Sequence, residues 1–331
     1  MTTTIKDIAK KANVSYGTVS RALNNKYGVK KETRERVLAV AAKMGYSPNG
    51  IARGLVKKTT HSIGLVIPDI LNPFYPDIAR GIEDKALKSG YSVFFCNTNH
   101  DKKREIQSLK LLMEKRVDGI ILAPGLEDPN IHDGLVIGNI PIVHICRRYV
   151  DPNKSFVVMD DERGGFLATK HLIEQGYKKV GFIGAKDQPF YLNERFKGYT
   201  QAFQKFGLQL DQRYIYSSDF KRQTGYRIVS KILSDGDHPR AIFTENDLLA
   251  LGAIQAIREA GLSIPDDIAV VGFDDIPFAS FPEVQLTTIR QPKYEMGKIA
   301  VSILLDQMSG LNTQPRKVIL EPQLVVRKSS F

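Results

Sequence analysis

The first apolar positions, Ile5, Ile8, Ala9 and Ala12, recur at the spacing of one helical face. Thr4 stands where an N-cap belongs, with Asp7 three residues on, although a strict capping box takes Glu or Gln there. Asn13-Val14-Ser15 breaks the pattern. Ser15 can cap a second helix over 16–23, in which Val19 and Leu23 point inward while Tyr16, Gly17, Ser20 and Arg21 stay mostly outward. A loop at Asn24-Asn25-Lys26-Tyr27-Gly28 leads to a third helix from about Lys31 to Lys43, with Val37, Leu38, Ala41 and Met44 on its apolar side. A short helix, a tight turn and a polar-faced second helix predict a helix-turn-helix.

Tyr46-Ser47-Pro48-Asn49-Gly50-Ile51-Ala52-Arg53-Gly54-Leu55 reads as a short helix, with Ser47 as cap and Pro48 in its first turn. Two glycines make it unstable alone, so it is expected to order only when paired on a partner surface. Leu55 would then be an apolar wedge available to a minor groove. From residue 61 the pattern changes to alternating buried strands and amphipathic helices. Strands are predicted at 62–68, 91–96, 119–123 and 140–145, with helices at 74–89 and 103–116. The series repeats with helices at 162–175, 194–206, 222–234 and 247–260 and strands at 179–184, 214–216, 241–244 and 268–273. The expected fold is therefore a small all-α helix-turn-helix head with a hinge helix, followed by two open α/β units in tandem.

Charge sharpens this division. Residues 1–60 hold thirteen Lys/Arg against three acids, so ten of the eleven net positive charges sit there and 61–331 carries the remaining one. Local positive density of this kind serves phosphate attraction, and a uniformly basic enzyme would not concentrate it so. The two cysteines, Cys96 and Cys146, make no disulfide framework. The opening residues lead into a charged helical pattern instead of an apolar signal core. A cytoplasmic location is expected.

In open α/β sheets ligands bind beyond the carboxyl ends of the strands. There lie Asp69, Asn72, Phe74 and Tyr75; Arg147 and Arg148; Arg195; Phe220; Asn246 and Asp247; Asp274 and Asp275; and Gln291. Carboxylates, amides, an arginine and flat aromatic faces suit a neutral polyhydroxylated ligand or a small heterocycle. Catalysis has little to support it: no Gly-rich dinucleotide loop, P-loop, nucleophile elbow or metal-spaced cluster occurs, and no cofactor is expected. His144 in its apolar run reads as a core histidine, and Gly164-Gly165 as a close turn.

Ile5-Lys6-Asp7-Ile8-Ala9, Val14-Ser15, Thr18-Val19-Ser20-Arg21, Gly45-Tyr46-Ser47-Pro48-Asn49 and Ala52-Arg53-Gly54-Leu55 resemble the lactose/galactose-repressor (LacI/GalR) family of bacterial regulators. Ile67-Pro68-Asp69, Asn72-Pro73-Phe74-Tyr75, Val117-Asp118-Gly119-Ile120-Ile121, Glu245-Asn246-Asp247 and Val271-Gly272-Phe273-Asp274-Asp275 do the same. The resemblance covers essentially the whole chain. It implies a body of periplasmic-binding-protein type I fold that binds an effector and dimerises, and it divides the chain into a head over 1–46, a hinge over 47–60 and a body over 61–331. It implies a DNA-proximal lobe of about 61–160 and 290–320 and a distal lobe of about 162–288 and 322–331. The implied DNA contacts are Thr4, Tyr16, Gly17, Thr18, Ser20, Arg21, Asn24, Tyr46, Asn49, Ala52, Arg53 and Leu55. The implied effector contacts are Asp69, Asn72, Phe74, Arg147, Arg195, Phe220, Asn246, Asp274 and Gln291. The implied partners are a pseudo-palindromic operator, a sugar-like or purine effector, a second copy of the chain and, in one branch, a phosphocarrier-type co-regulator. One departure stands out: many sugar-responsive members carry Asp-Arg where this chain has Cys146-Arg147.

Overall fold

The computed structural model describes residues 3–46, 59–124, 140–184, 193–311 and 314–331. It divides into two compact units, residues 1–60 and 61–331.

The first unit is all-α. Helices α1 (Ile5–Ala12), α2 (Tyr16–Leu23) and α3 (Lys31–Lys43) enclose a core of Ile8, Ala9, Ala12, Val19, Ala22, Val37 and Ala41. Asp7 does complete the capping box: its carboxylate accepts from the backbone N–H of Thr4 at 2.9 Å, while Thr4 Oγ1 accepts from Asp7 N–H. Ser15 caps α2 by accepting from Thr18 N–H at 3.1 Å. Leu38 departs from the expected apolar face. It is 46% exposed, and Val40 packs on the core in its place. Successive helical residues turn about 100°, which aligns 37, 40, 41 and 44 and rotates 38 off that face.

The second unit holds two sheets of matching order. The first lobe contains β1 (Ser62–Ile67), β2 (Ser92–Asn97), β3 (Gly119–Leu122), β4 (Ile142–Ile145), β5 (Ser155–Met159) and β11 (Lys317–Leu320), arranged β11-β5-β4-β3-β1-β2 and wholly parallel. The second lobe contains β6 (Val180–Gly184), β7 (Ile215–Ser217), β8 (Ala241–Thr244), β9 (Ala269–Asp274), β10 (Thr287–Arg290) and β12 (Gln323–Val325). Their order is β12-β10-β9-β8-β6-β7, with only β12 antiparallel to its neighbour among these described strands. Strand β1, whose six residues are all buried, and the equally buried β3 and β9 need the near-continuous apolar runs that the chain supplies there.

Helices cover these sheets. In the first lobe they are α4 (Tyr75–Lys88), α5 (Lys102–Glu114) and α10 (Lys293–Ser309). In the second they are α6 (Asp161–Glu174), α7 (Glu194–Lys205), α8 (Arg222–Ser234) and α9 (Asp247–Glu259). The chain passes from first sheet to second after Met159, returns after Arg290 and passes over again after Leu320. Gly164 and Gly165 form no turn. They lie buried inside α6, where a Cβ on Gly165 would run into the carbonyl oxygen of Arg195 in α7, and one on Gly198 into that of Glu162. The absent side chains let the backbones of α6 and α7 touch. No helix among the described residues is long and apolar enough to cross a membrane.

Candidate functional site

In the first unit Tyr16 is 58% exposed and Arg21 is exposed, while Val19 and Ala22 of the same helix are buried. Arg21 folds back along its own helix, its Nε donating to the Gly17 carbonyl at 3.2 Å. A Cβ added at Gly17 would make only ordinary contacts, the nearest at 3.7 Å with the Arg21 side chain. Packing within the head therefore does not require glycine there. Thr4 spends its hydroxyl on the capping box, where it bonds Asp7 at 2.6 Å, and Thr18 Oγ1 lies 2.9 Å from Ser15 Oγ. The half-buried Ser20 lends its carbonyl to Asn24 Nδ2 at 2.8 Å. Tyr46 packs partly on the head core and donates its backbone N–H to Ala41. Asn49, Ala52, Arg53 and Leu55 lie outside the described residues.

In the second unit a cavity of about 300 Å³ opens between the two sheets, at the carboxyl ends of their strands. Its wall includes every expected effector contact: Asp69, Asn72, Phe74, Arg147, Arg195, Phe220, Asn246, Asp274 and Gln291. Two lie on short turns that the chain builds itself, and a third caps a helix. Asp69 Oδ1 accepts from Leu71 N–H at 2.9 Å, and Asn72 Oδ1 from Phe74 N–H at 3.0 Å. Asn246 caps α9 through Leu249 N–H at 2.8 Å and donates to the Phe220 carbonyl at 2.9 Å, which holds that aromatic residue at the rim.

The centre is an ionic cluster. Arg195, the second residue of α7, bonds Asp161 at 2.7 Å, donates to the Glu245 carbonyl and lies 3.8 Å from Asp274. Its guanidinium stacks over the Phe273 ring, 3.8 Å from the centroid. Although burial works against its charge, the carboxylates of Asp161, Asp274 and Glu245 hold its proton more firmly than usual. Asp274 ends β9 with φ +116° and accepts from Gln291 Nε2 at 2.6 Å. Burial pushes its carboxyl up to about 6 against the pull of Arg195 and Lys293. Behind it Asp247 is fully buried. Burial and then the Asp274 charge raise it well above the carboxylate range, even though Thr288 and the Ile276 N–H donate to it.

The cavity also takes in Tyr75, His100, Cys146, Arg148, Asp161, Glu194, Asp219, Lys221 and Glu245. Asp161 and Glu194 open α6 and α7, where an acid reads first as a complement to the helix dipole. Sequence alone offers no reason to place them in a cleft. Arg148, from the first lobe, pairs across the opening with Glu194 of the second at 3.2 Å. Burial, opposed by Arg148, pushes Glu194 up to about 7. Cys146 has φ +61°, its Sγ lies 3.7 Å from Met296 Sδ, and burial raises its thiol far from ionisation. His144 is buried at 4% exposure against Tyr149, ring centroids 4.2 Å apart. No cluster of three or more His, Cys, Asp or Glu able to hold a metal occurs among the described residues.

Residues 4–49 match the family model for bacterial regulatory proteins of the lacI family, and residues 169–330 that for periplasmic binding protein-like domains. The chain is 38% identical to the HTH-type transcriptional regulator DegA of Bacillus subtilis, covering 100% of this chain and 98% of that one. It is 34% identical to the HTH-type transcriptional repressor PurR of Mannheimia succiniciproducens, over 98% of each. Among solved structures it is similar to a lac repressor dimer, at TM-score 0.90 and 27% identity over 100% of both chains. It is also similar to a LacI family regulator from Enterococcus faecium, at TM-score 0.73 and 29% identity over 81% of this chain and 98% of that one. The basic head, the paired sheets and these likenesses over the full length lead to one conclusion: the chain belongs to the lacI family of bacterial regulatory proteins and is a sequence-specific DNA-binding transcriptional regulator, not an enzyme.

Proposed function

We propose that the chain is a dimeric repressor whose operator affinity is set by a neutral, sugar-sized ligand held in the inter-sheet cavity. The carrying observation is the charge of the cavity wall. Six carboxylates (Asp69, Asp161, Glu194, Asp219, Glu245 and Asp274) face four cations (Arg147, Arg148, Arg195 and Lys221). Arg195, Arg148 and Lys221 are already engaged by Asp161, Glu194 and Asp219. Such a wall repels an added phosphate and offers acceptors to hydroxyl groups, while Phe74, Tyr75 and Phe220 supply apolar faces. About 300 Å³ is at the small end of ligand sites, the size of one sugar ring. The Enterococcus faecium relative is a complex with ribose, and the lac repressor dimer one with operator and an anti-inducer. Cys146 removes one carboxylate that many family members present, and Asp274, Asp69 and Asp161 supply acceptors in its place.

The head (1–46), the hinge (47–60) and the body (61–331) divide the work. Tyr16, Gly17 and Arg21 meet base edges, with Gly17 letting the backbone close in. Thr4, Thr18, Ser20, Asn24, Tyr46, Asn49, Ala52 and Arg53 position the head on the duplex, and Leu55 enters the minor groove. The body dimerises through the exposed apolar residues near the β2 edge, among them Phe94, Phe95 and Leu71. Ligand shifts the arrangement of the two lobes and so the register of paired heads on successive major grooves.

A thermal-shift screen of the full chain tests this with neutral sugars, sugar phosphates and purines. A neutral sugar at 100 times its Kd adds about 2.7 kcal/mol, which raises the midpoint by roughly 5 °C for a body of this size. A shift from sugar phosphates or purines with none from neutral sugars refutes the assignment.

A further inference from the structure

Three local preferences are broken at one point of the second unit, and one side chain is common to all three. Lys293 is the first residue of α10, where the helix dipole disfavours a cation. Its side chain is 6% exposed, although a buried ammonium is expensive unless ringed by acceptors. Asp274 and Asp275, successive and not glycine, both hold positive φ, 116° and 49°. The Lys293 ammonium donates to both of their carbonyl oxygens at 2.8 Å and lies 3.7 Å from the half-exposed Asp77 carboxylate. An apolar residue could fill the same space without these demands, so where local rules fail together a functional cause is sought.

Its placement supplies that cause. Lys293 and Asp77 belong to α10 and α4 of the first lobe, which touch backbone to backbone. A Cβ on Gly81 would run into the Tyr294 carbonyl, and one on Gly297 into that of Ile78. Asp274 and Asp275 end β9 of the second lobe. Asp275 is held there by Arg290 and Arg327, each at 2.7 Å, and Asp274 faces the cavity. The ammonium thus ties the ligand-facing strand end of one lobe to a rigid helix pair of the other.

We propose that Lys293 is a positioning residue that fixes Asp274 in the cavity and couples it to the arrangement of the lobes. This rests on Asp274 being an effector contact, but its test uses no effector, so the two readings fail separately. Hydrogen exchange on the full chain compares Lys293→Met and Lys293→Arg with the parent. The diagnostic amides are Asp275 and Ile276, which donate to Thr288 Oγ1 and Asp247 Oδ2. Lys293→Met should speed their exchange about tenfold or more while β8 amides stay unchanged, and Lys293→Arg, which keeps the charge, should stay within about threefold of the parent. Unchanged exchange in the Met variant overturns the proposal, as does an Arg variant that opens as freely as the Met variant. Should the Met variant not fold, Asp77→Asn reads the same amides from across the lobe boundary. It should speed them about threefold, and no change overturns the coupling.

Discussion

Replacing Glu194 by glutamine should make the protein more stable above neutral pH and leave it unchanged in mild acid. Glu194 stands at the mouth of the cavity with its side chain 19% exposed, and its carboxyl is raised to about 7 by burial, which Arg148 only partly offsets. In the unfolded chain the same group ionises near 4.5. Between those values the folded form keeps a proton that the unfolded form has lost, so stability falls as pH rises. The stabilising share is complete below about 4.5 and gone once pH has passed about 7. At about 1.4 kcal/mol per unit the descent amounts to about 3 kcal/mol. Glutamine cannot ionise, so the variant lacks this descent. Urea unfolding of parent and Glu194→Gln at half-unit steps from pH 4 to 8 measures it. The difference should grow with pH, favour the variant, and approach about 3 kcal/mol at pH 8. A variant equal to or weaker than the parent at pH 8 would show that the ion pair with Arg148 outweighs the burial of the charge, which refutes the reasoning.

Other predictions test the remaining parts. Arg21→Ala should lose about 1–3 kcal/mol of preference for the selected operator over random DNA; equal weakening on both, in a mobility-shift titration, would make Arg21 a phosphate contact. Asp274→Ala should abolish the thermal shift given by the active ligand and keep operator affinity, and an undiminished shift removes Asp274 from the site. Gly198→Ala should lower stability by about 1–3 kcal/mol, because its Cβ meets the Glu162 backbone at the α6–α7 crossing; a neutral denaturation midpoint would mean the helices part freely. Thr4→Ala should cost about 1 kcal/mol through loss of the α1 cap, read as lower helicity of the head on heating.

The sequence alone determined the local and periodic features. The three head helices follow from apolar spacing and from two hydroxyl caps, Thr4 and Ser15, whose partners lie three residues away. The strand-helix alternation of the body and the polar residues at strand ends were equally readable, because buried parallel strands need continuous apolar runs and their ends do not. Strand β5 is not legible in the sequence although all five of its residues are buried, since a short apolar run is ambiguous until a partner strand is known. Leu38 lies one helical step off the buried face, and Gly164-Gly165 looks like a turn because a glycine does not announce whether it bends the chain or admits a neighbour. Folding alone brings Asp161, Glu194 and Arg148 to one cavity, and Lys293 to the backbone of its Asp274. Each arrives from a different element, and two of them look like ordinary helix-start acids until folding brings them together. The physical reason is range. Caps, turns and periodicity act over a few residues, whereas the charge, burial and pairing of a cavity wall depend on contacts between segments distant in the chain, such as Arg195 with Asp161, 34 positions away, and with Glu245, 50 positions away.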